Sequence, residues 1–154
     1  MILATSPTTA IIEVSAAVVN GSGSNTIQLT NDSGAPMILA TPVYSDAAGG
    51  MNNGEANNTG KSIIVGLVAD ANVAAGVKGN VAVSGVIVAT TAQWDAVCGT
   101  AGGLAFNTPY YLSPTTPGRL TSVAPVAAGQ EVVQVITAMS ATEARIAIQP
   151  PILL

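Results

Sequence analysis

The segment from residue 107 to residue 125, NTPYYLSPTTPGRLTSVAP, constrains the fold more than any other part of the chain. Its residues 110–112 (YYL) form β-strands readily. The following residues 113–118 (SPTTPG) contain two prolines, which fix φ, and a glycine, which adopts positive φ without strain. Residues 119–123 (RLTSV) then alternate outward and inward positions before Pro125 ends the strand. The segment therefore predicts a proline-braced β-hairpin with a turn longer than two residues.

Aromatic residues are scarce, and most of them lie in or next to this hairpin. The chain contains three Tyr, one Trp and one Phe. Tyr110 and Tyr111 lie in the first strand, and Phe106 lies just before it. Because aromatic side chains bury large areas, we expect the core to be anchored here. Stacking of Tyr110, Tyr111 and Trp94 on sugars is the alternative, which we place behind a role as core or interface anchors.

Other short runs of β-branched and apolar residues are separated by Gly, Asn, Ser and Pro, a pattern typical of strands between turns. The predicted strands cover residues 10–19, 26–30, 37–44, 62–69, 81–89, 131–139 and 144–148, with turns at 31–34 and 72–80. Pro42 places its strand at a sheet edge or a bulge, and Gly85 predicts a bulge or a close backbone approach. The predicted class is all-β, a compact and jelly-roll-like β-sandwich or β-barrel with extended N- and C-terminal arms.

Residues 90–98 (TTAQWDAVC) are the one predicted helical turn. Thr91 is the predicted N-cap, although the acidic residue of a capping box is displaced by one position to Asp95. Trp94 and Val97 lie three residues apart and are expected to pack on the same face. The fold is therefore expected to contain at most one short helix.

Residues 45–61 (SDAAGGMNNGEANNTGK) are predicted as a long loop with little that can join a core. A loop of this length in a compact domain is usually functional or disordered. We divide the chain into an N-terminal arm with short strands and this loop (1–60), a main β domain (61–149) and an apolar C-terminal tail (150–154). The three parts are expected to form one compact domain overall.

Charged residues make up only 8% of the chain, against roughly 25% in average proteins. A free monomer with so few charges is poorly soluble, so the composition favours a protein that works in an assembly. The net charge is −4 and no basic cluster occurs, which argues against a nucleic-acid partner. No apolar run approaches the roughly 20 residues of a membrane helix. Residues 1–10 lack the basic and apolar regions of a signal peptide.

The sequence offers little for catalysis. It contains no His, which removes Ser-His-Asp and Cys-His catalysis and most zinc sites. The eight carboxylates are scattered singly, so a glycosidase-like pair would have to be assembled by the fold. Cys98 lies near Asp95 in sequence, which disfavours a thiolate, and we interpret it as a small buried apolar residue.

Residues 54–62 (GEANNTGKS) have five residues rather than four between the glycines of a phosphate loop, and an apolar strand follows. We predict no enzyme, no cofactor and no metal site.

The two ends of the chain are apolar and leave two interpretations open. Ile2 and Leu3 lie near the start, and Ile152, Leu153 and Leu154 follow two prolines, which cannot donate to a β-ladder. These residues either fold back onto their own core or reach into a neighbouring subunit, where they add a strand or fill a groove.

Residues 66–154 resemble a segment that recurs in virion proteins of tailed bacteriophages. The resemblance is carried by GGL-x5-YYLSPTTPGRLT at 102–121, by AAGQ-VV-V--AMS-TE at 127–143, and by IQPPILL at 148–154. The segment is similar to a β-rich module of capsid decoration (cement) proteins. Similar stretches occur in tail-fibre proteins and in other head or tail structural proteins. The resemblance covers somewhat over half of the chain and does not extend to residues 1–60.

The resemblance implies a capsid decoration protein that binds the outer surface of the head and stabilises contacts between neighbouring capsomers. Such a protein is made in the host cytoplasm and located on the virion surface. Its implied partners are the major capsid protein and the protein itself, as a homo-oligomer with a trimer favoured over a dimer. The alternatives are a tail-fibre or baseplate module that binds host glycan, and a minor head structural protein. Besides the loop at 45–61, the expected assembly contacts are Ile2, Leu3, Tyr110, Tyr111, Pro114, Pro117, Ile152, Leu153 and Leu154.

Overall fold

The computed structural model describes residues 24–154. The strand predicted at 10–19 and the candidate contacts Ile2 and Leu3 lie outside the described residues. In chain order the elements are β1 (Asn25–Thr30), β2 (Met37–Ile38), β3 (Pro42–Ser45), β4 (Met51–Asn53), β5 (Ile64–Val68), β6 (Asn72–Val73), β7 (Lys78–Ser84), β8 (Val86–Val88), α1 (Thr91–Cys98), β9 (Pro109–Leu112), β10 (Leu120–Thr121), β11 (Glu131–Val132), β12 (Gln134–Ala138), β13 (Glu143–Ile146) and β14 (Ile152–Leu153). The predicted all-β class is confirmed.

Five antiparallel strands form the first sheet, in the order β1-β7-β5-β3-β4. The strand predicted at 26–30 is confirmed as β1, and its Ile27 lies opposite Val81 of β7. Pro42 begins β3, which has neighbours on both sides, so Pro42 is not at a sheet edge. The register between β3 and β5 shifts between Val43 and Tyr44, next to the proline. The extra residue is residue 65 of β5, so the irregularity next to Pro42 lies on the partner strand and not on β3 itself.

The single strand predicted at 37–44 is divided into β2 and β3. Ala40 lies between them with a φ of 66°, a conformation that residues other than glycine seldom adopt. β2 pairs with β6, with Met37 opposite Val73. The segment 72–80, predicted as a turn, therefore begins in a ladder and ends in the first residues of β7.

A second sheet of five strands has the order β10-β9-β12-β13-β8. The predicted hairpin is confirmed, because β9 and β10 are antiparallel with Leu120 opposite Leu112 and Thr121 opposite Tyr111. Its second strand has only two residues, fewer than predicted. β12 and β13 form a further hairpin beside it, and β8 completes the sheet. The strand predicted at 131–139 is interrupted at Val133, which separates β11 from β12.

Gly85 connects the two sheets. The strand predicted at 81–89 ends at Ser84, and the chain leaves the first sheet through Gly85, whose φ is 100°. It then enters the second sheet as β8, and the Gly85 carbonyl accepts a hydrogen bond from the Ile146 backbone N–H at 2.9 Å. Glycine is required at this corner because its positive φ redirects the strand without steric cost.

The prediction that residues 45–61 contribute little to the core is wrong. Met51 begins β4, which pairs with β3, and the Met51 side chain is fully buried. Ala56 is also buried, in the cluster that lies behind the second sheet. The Gly and Asn content of the segment indicates turns correctly, but it conceals a three-residue strand between them.

The helix is confirmed, with its cap one residue earlier than predicted. The Thr90 hydroxyl accepts from the Gln93 backbone N–H, and the Gln93 side chain accepts from the Thr90 backbone N–H at 2.8 Å. Gln93 therefore closes the capping box instead of Asp95. Trp94 and Val97 are both buried, as expected from their spacing.

Two clusters of buried side chains form the core. The larger lies between the helix, the second sheet and β5, and it includes Trp94, Tyr110, Leu112, Ile136 and Leu67. The smaller belongs mainly to the first sheet and its neighbours: Met37, Val43, Met51, Val68, Val73 and Val81. β5 contributes to both clusters and so joins the two sheets.

Candidate functional site

The C-terminal tail is folded back onto its own chain through its backbone. β14 pairs with β11 in an antiparallel ladder, with Leu153 opposite Glu131 and Ile152 opposite Val132. Two further hydrogen bonds extend the ladder, from the Leu154 N–H to the Gln130 carbonyl and from the Gly129 N–H to the Leu154 carbonyl. Pro150 and Pro151 precede the ladder and do not prevent it. The backbone of the tail therefore folds back onto its own chain, which is one of the two interpretations that the sequence left open.

The side chains of the tail are nevertheless left uncovered. Ile152 is 63% exposed and Leu153 is 62% exposed, and Leu154 is also exposed. Val126 is 87% exposed and precedes the loop whose Gly129 and Gln130 bind Leu154. We call these four residues, Val126, Ile152, Leu153 and Leu154, the tail surface. The backbone of residues 152–154 is held by the ladder, and the apolar side chains of all four residues are exposed.

An apolar groove is formed by the residues just before the tail. It has a volume of about 400 Å³ and is lined by Ile63, Ile64, Ile148, Gln149, Pro150 and Pro151. Ile63 is itself exposed. The lining of the groove ends at Pro151, and the tail surface begins at the next residue, Ile152, so the two are adjacent in the chain.

A buried carboxylate lies within the same ladder. Glu131 is only 5% exposed, and its Oε2 atom has no hydrogen-bond partner. Directly opposed residues of an antiparallel pair project to the same face, so Leu153 is on the face of the ladder that carries Glu131. The Glu131 backbone N–H donates to the Ala56 carbonyl at 2.7 Å, which joins the ladder to the segment 45–61.

The two tyrosines of the hairpin project to opposite faces of the second sheet, because successive strand residues alternate. Tyr110 is buried in the larger cluster, and its hydroxyl accepts from the Ala105 backbone N–H at 3.0 Å. Its side chain is therefore not available at the surface of the monomer. Tyr111 is half-buried on the outer face, opposite Gln134 of β12.

The tip of the hairpin is braced by local hydrogen bonds. The Ser113 hydroxyl accepts from the backbone N–H groups of Thr115 and Thr116. Pro117 is exposed and Pro114 is half-buried. Pro117 lines a separate cleft with Pro36, Asn53 and Arg119. Neither Pro114 nor Pro117 lines the groove beside Pro150 and Pro151. Of the expected contacts, Ile152, Leu153 and Leu154 lie together on the tail surface.

A second exposed apolar group was missed at the level of sequence. Phe106, expected near a core anchor, is 77% exposed. It lines a groove of about 360 Å³ with Asn107, Thr137, Ala138, Met139 and Arg145. Met139 and Arg145 are exposed as well. We call Phe106, Met139 and Arg145 the loop surface. The only available signal was the Gly-Gly and Asn content around Phe106, which indicates a turn.

The thiol of Cys98 is not poised for nucleophilic chemistry. Burial raises the pKa of the Cys98 thiol to about 12, and the Asp95 carboxylate adds to the increase, while Arg119 opposes it. The thiol is therefore protonated at neutral pH. It is half-buried and packs against the larger core cluster, in line with the interpretation of Cys98 as a small apolar residue.

Asp95 is a structural carboxylate that holds the segment after the helix. It accepts from the backbone N–H groups of Gly103 at 2.8 Å and Gly102 at 3.0 Å, and from the Thr100 hydroxyl at 2.9 Å. Hydrogen bonds to the charged form, that of Gly103 first, hold the pKa of this carboxyl below its usual value. The segment that Asp95 fixes leads directly to Phe106.

Within residues 24–154, no group of His, Cys, Asp and Glu side chains is arranged to hold a metal ion. In the same range, no helix has both the length and the apolar character needed to cross a bilayer. Comparison of the chain with protein-family models, with curated proteins and with solved structures finds no match.

Proposed function

We propose that the protein is a capsid decoration protein of a tailed bacteriophage, which binds the outer surface of the head and stabilises contacts between neighbouring capsomers. The resemblance of residues 66–154 to such modules supports this proposal. The structural observation that carries it is the tail surface, where Ile152 and Leu153 are held in a ladder with their side chains exposed. Apolar side chains in this arrangement are typical of a surface that a partner covers.

The energetics of the tail surface favour docking onto a preformed lattice. Burial contributes about 25 cal/mol per Å² of apolar area, so covering one Ile or Leu side chain that starts about two-thirds exposed contributes on the order of 1 kcal/mol. Because the backbone of β14 is already ordered, little conformational entropy is lost on docking. Modest affinity per copy suffices when many copies share the load on one shell.

The distribution of charge supports the same function. Among the described residues the only ion pair joins Lys61 to Glu55, at 3.8 Å. With 8% charged residues in the whole chain, the surface relies on Thr, Ser, Asn and backbone groups for its contact with water. Such a surface loses little hydration of charge when it is covered, which favours association over a wide range of salt concentrations. We also propose that the protein forms a homo-oligomer, with a trimer favoured over a dimer. This part of the proposal rests on the resemblance alone.

The test is binding of the purified chain to empty expanded heads, with the bound copy number measured by sedimentation. We expect saturable binding at a copy number comparable with the number of capsomers. The double variant Ile152→Ser, Leu153→Ser should bind at least several-fold more weakly. Val77→Ser is the matched control, because Val77 is also an exposed apolar residue but lies in the turn before β7. Absence of saturable binding by the unmodified chain would overturn the proposal.

Binding of a host-surface glycan is a second candidate function, and a specific observation favours it. Tyr111 and Thr137 lie on the outer face of the second sheet, and Thr137 lines the groove of the exposed Phe106. Aromatic rings beside hydroxyl groups on a sheet face provide stacking and hydrogen bonding for sugars. A screen of the purified chain against host glycans tests this candidate, and loss of any signal in Phe106→Ala would locate the binding site.

A further inference from the structure

We propose that the loop surface is a second protein-binding site, which docks onto a partner surface that offers an apolar pit flanked by a carboxylate. This inference rests on the proposed function and deepens it. A protein that joins two neighbours needs two separate contact surfaces. The tail surface supplies one of them, and the loop surface supplies the other.

The two surfaces lie at opposite ends of the β12–β13 hairpin. At one end, the Gln149 N–H donates to the Gln134 carbonyl at 2.9 Å, and the chain then continues into the tail. At the other end, the Asn107 N–H donates to the Ala138 carbonyl at 3.0 Å, which places Phe106 beside Met139. β12 runs from Gln134 to Ala138, so the two ends are roughly 14 Å apart, at about 3.4 Å per residue.

Phe106 is presented by a rigid loop. The Ala105 N–H donates to the Tyr110 hydroxyl at 3.0 Å, and the Tyr110 ring is buried in the core. On the other side of Phe106, Asn107 is tied to Ala138 and has a φ of 54°, a left-handed conformation that costs energy for a residue other than glycine. A ring whose backbone is held on both sides docks with less loss of backbone conformational entropy than a ring on a free loop.

Arg145 supplies charge complementarity toward an acidic partner. It lies on β13, next to the edge strand β8, opposite Thr137 on one side and Val86 on the other. Among the described residues the ion pair of Lys61 with Glu55 is the only one, so Arg145 has no carboxylate partner there. A guanidinium group binds a carboxylate through two parallel hydrogen bonds, which fixes the orientation of the partner.

The residue types of the loop surface favour a protein over a glycan as its occupant. Phe, Met and Arg are enriched in the centres of protein interfaces. A glycan needs several polar groups that converge on its hydroxyls, whereas the uncharged polar side chains in this groove are only Asn107 and Thr137. The ring of Phe106 projects outward, as expected of a side chain that enters a pit in a partner.

The test is head binding by Phe106→Ala and Arg145→Gln, with Val77→Ala as the matched control. We expect Phe106→Ala to weaken binding by about 10-fold or more, as hot-spot residues do. Arg145→Gln should weaken it several-fold and reduce its dependence on salt concentration, because a charge-assisted contact is lost. Val77→Ala should bind like the unmodified chain. Because Phe106 and Arg145 are exposed, all three variants should keep the melting temperature of the parent.

The outcomes separate this inference from the proposed function. If the parent binds heads and both loop variants bind equally well, the inference is overturned and the decoration function stands. If Phe106→Ala abolishes binding of an oligosaccharide and leaves head binding intact, the loop surface is a glycan site and the inference is again overturned. If the parent does not bind heads at all, the proposed function fails and this inference fails with it.

Discussion

The β9–β10 hairpin and the β11–β14 ladder are alike in pairing and opposite in packing. Each has two residue pairs, Leu120 with Leu112 and Thr121 with Tyr111 in the first, and Leu153 with Glu131 and Ile152 with Val132 in the second. In the hairpin both leucines are buried, whereas in the ladder Ile152 and Leu153 are exposed.

Neighbouring strands account for this difference. β9 lies between β10 and β12 in a five-stranded sheet that faces the core, while β14 pairs only with β11. Hydrogen bonds fix a backbone in both regions, but only the presence of a packed layer behind the strand decides whether its apolar side chains stabilise the monomer. The hairpin therefore stabilises the folded chain, whereas the side chains of the tail remain accessible to a partner.

Replacement of one leucine in each region is the sharpest test of this comparison. Leu112→Ala should lower the free energy of unfolding by about 2–5 kcal/mol, because it leaves a cavity in the larger core cluster. Leu153→Ala, the matched control, should change it by less than about 0.5 kcal/mol. Denaturant titration measures both values. Equal losses for the two variants would contradict the assignment of the hairpin to folding and the tail to assembly.

Glycines in the two regions provide the next comparison. Gly118 and Gly129 have φ angles of 71° and 82°. A Cβ atom on Gly118 would lie 2.7 Å from the Asn53 side-chain oxygen, whereas one on Gly129 would meet nothing within 4 Å. Gly129→Ala should cost about 1 kcal/mol from backbone strain alone, and Gly118→Ala about 2 kcal/mol. Melting temperatures measured at equal protein concentration rank the two variants. A larger loss in Gly129→Ala would show that the Asn53 side chain moves aside at the hairpin tip without cost.

Acid is expected to lower the stability of the folded chain through protonation of Asp95. The pKa of Asp95 is lowered in the folded chain, chiefly by the Gly103 N–H, so its contribution to stability is complete above the ordinary pKa near 3.8 and is lost as the pH falls through the folded value. Asp95→Asn should lower the melting temperature at pH 7 and reduce its fall between pH 5 and pH 2. If the Asp95→Asn variant loses stability in acid as steeply as the parent, other carboxylates control the acid sensitivity. As a control, a chain without residues 152–154 should retain the acid sensitivity of the parent.

The smallest effect on stability is expected in the tail. Ile152→Ser should change the free energy of unfolding by less than about 0.5 kcal/mol, because the side chain is exposed and the ladder bonds are made by the backbone. Chemical denaturation checks this value, with Val77→Ser as the control at an exposed position outside the tail surface. A loss above about 1 kcal/mol would mean that Ile152 stabilises the monomer, which contradicts the proposal that its side chain is reserved for a partner.

The sequence by itself determined the elements that depend on neighbours in the chain. The hairpin follows from YYL, SPTTPG and RLT, the helix follows from a threonine cap and the spacing of Trp94 and Val97, and β1 follows from alternation at 26–30. Such signals are local, because turn geometry, capping and strand propensity involve residues only a few positions apart. The cap was misplaced by one residue because an acidic residue was expected in the capping box, whereas Gln93, three residues after Thr90, completes it.

Tertiary structure alone decided which of these elements share a layer and which surfaces remain open. Gly85 moves the chain from one sheet to the other, Met51 is buried from within a Gly- and Asn-rich segment, and the tail pairs with β11 although two prolines precede it. Phe106 is exposed, whereas Tyr110, four residues later, is in the core. Burial depends on contacts between residues far apart in sequence. The hydrophobicity of a side chain indicates only that covering it lowers the free energy. Whether its own chain or a partner covers it is settled by the space that the packed layers leave.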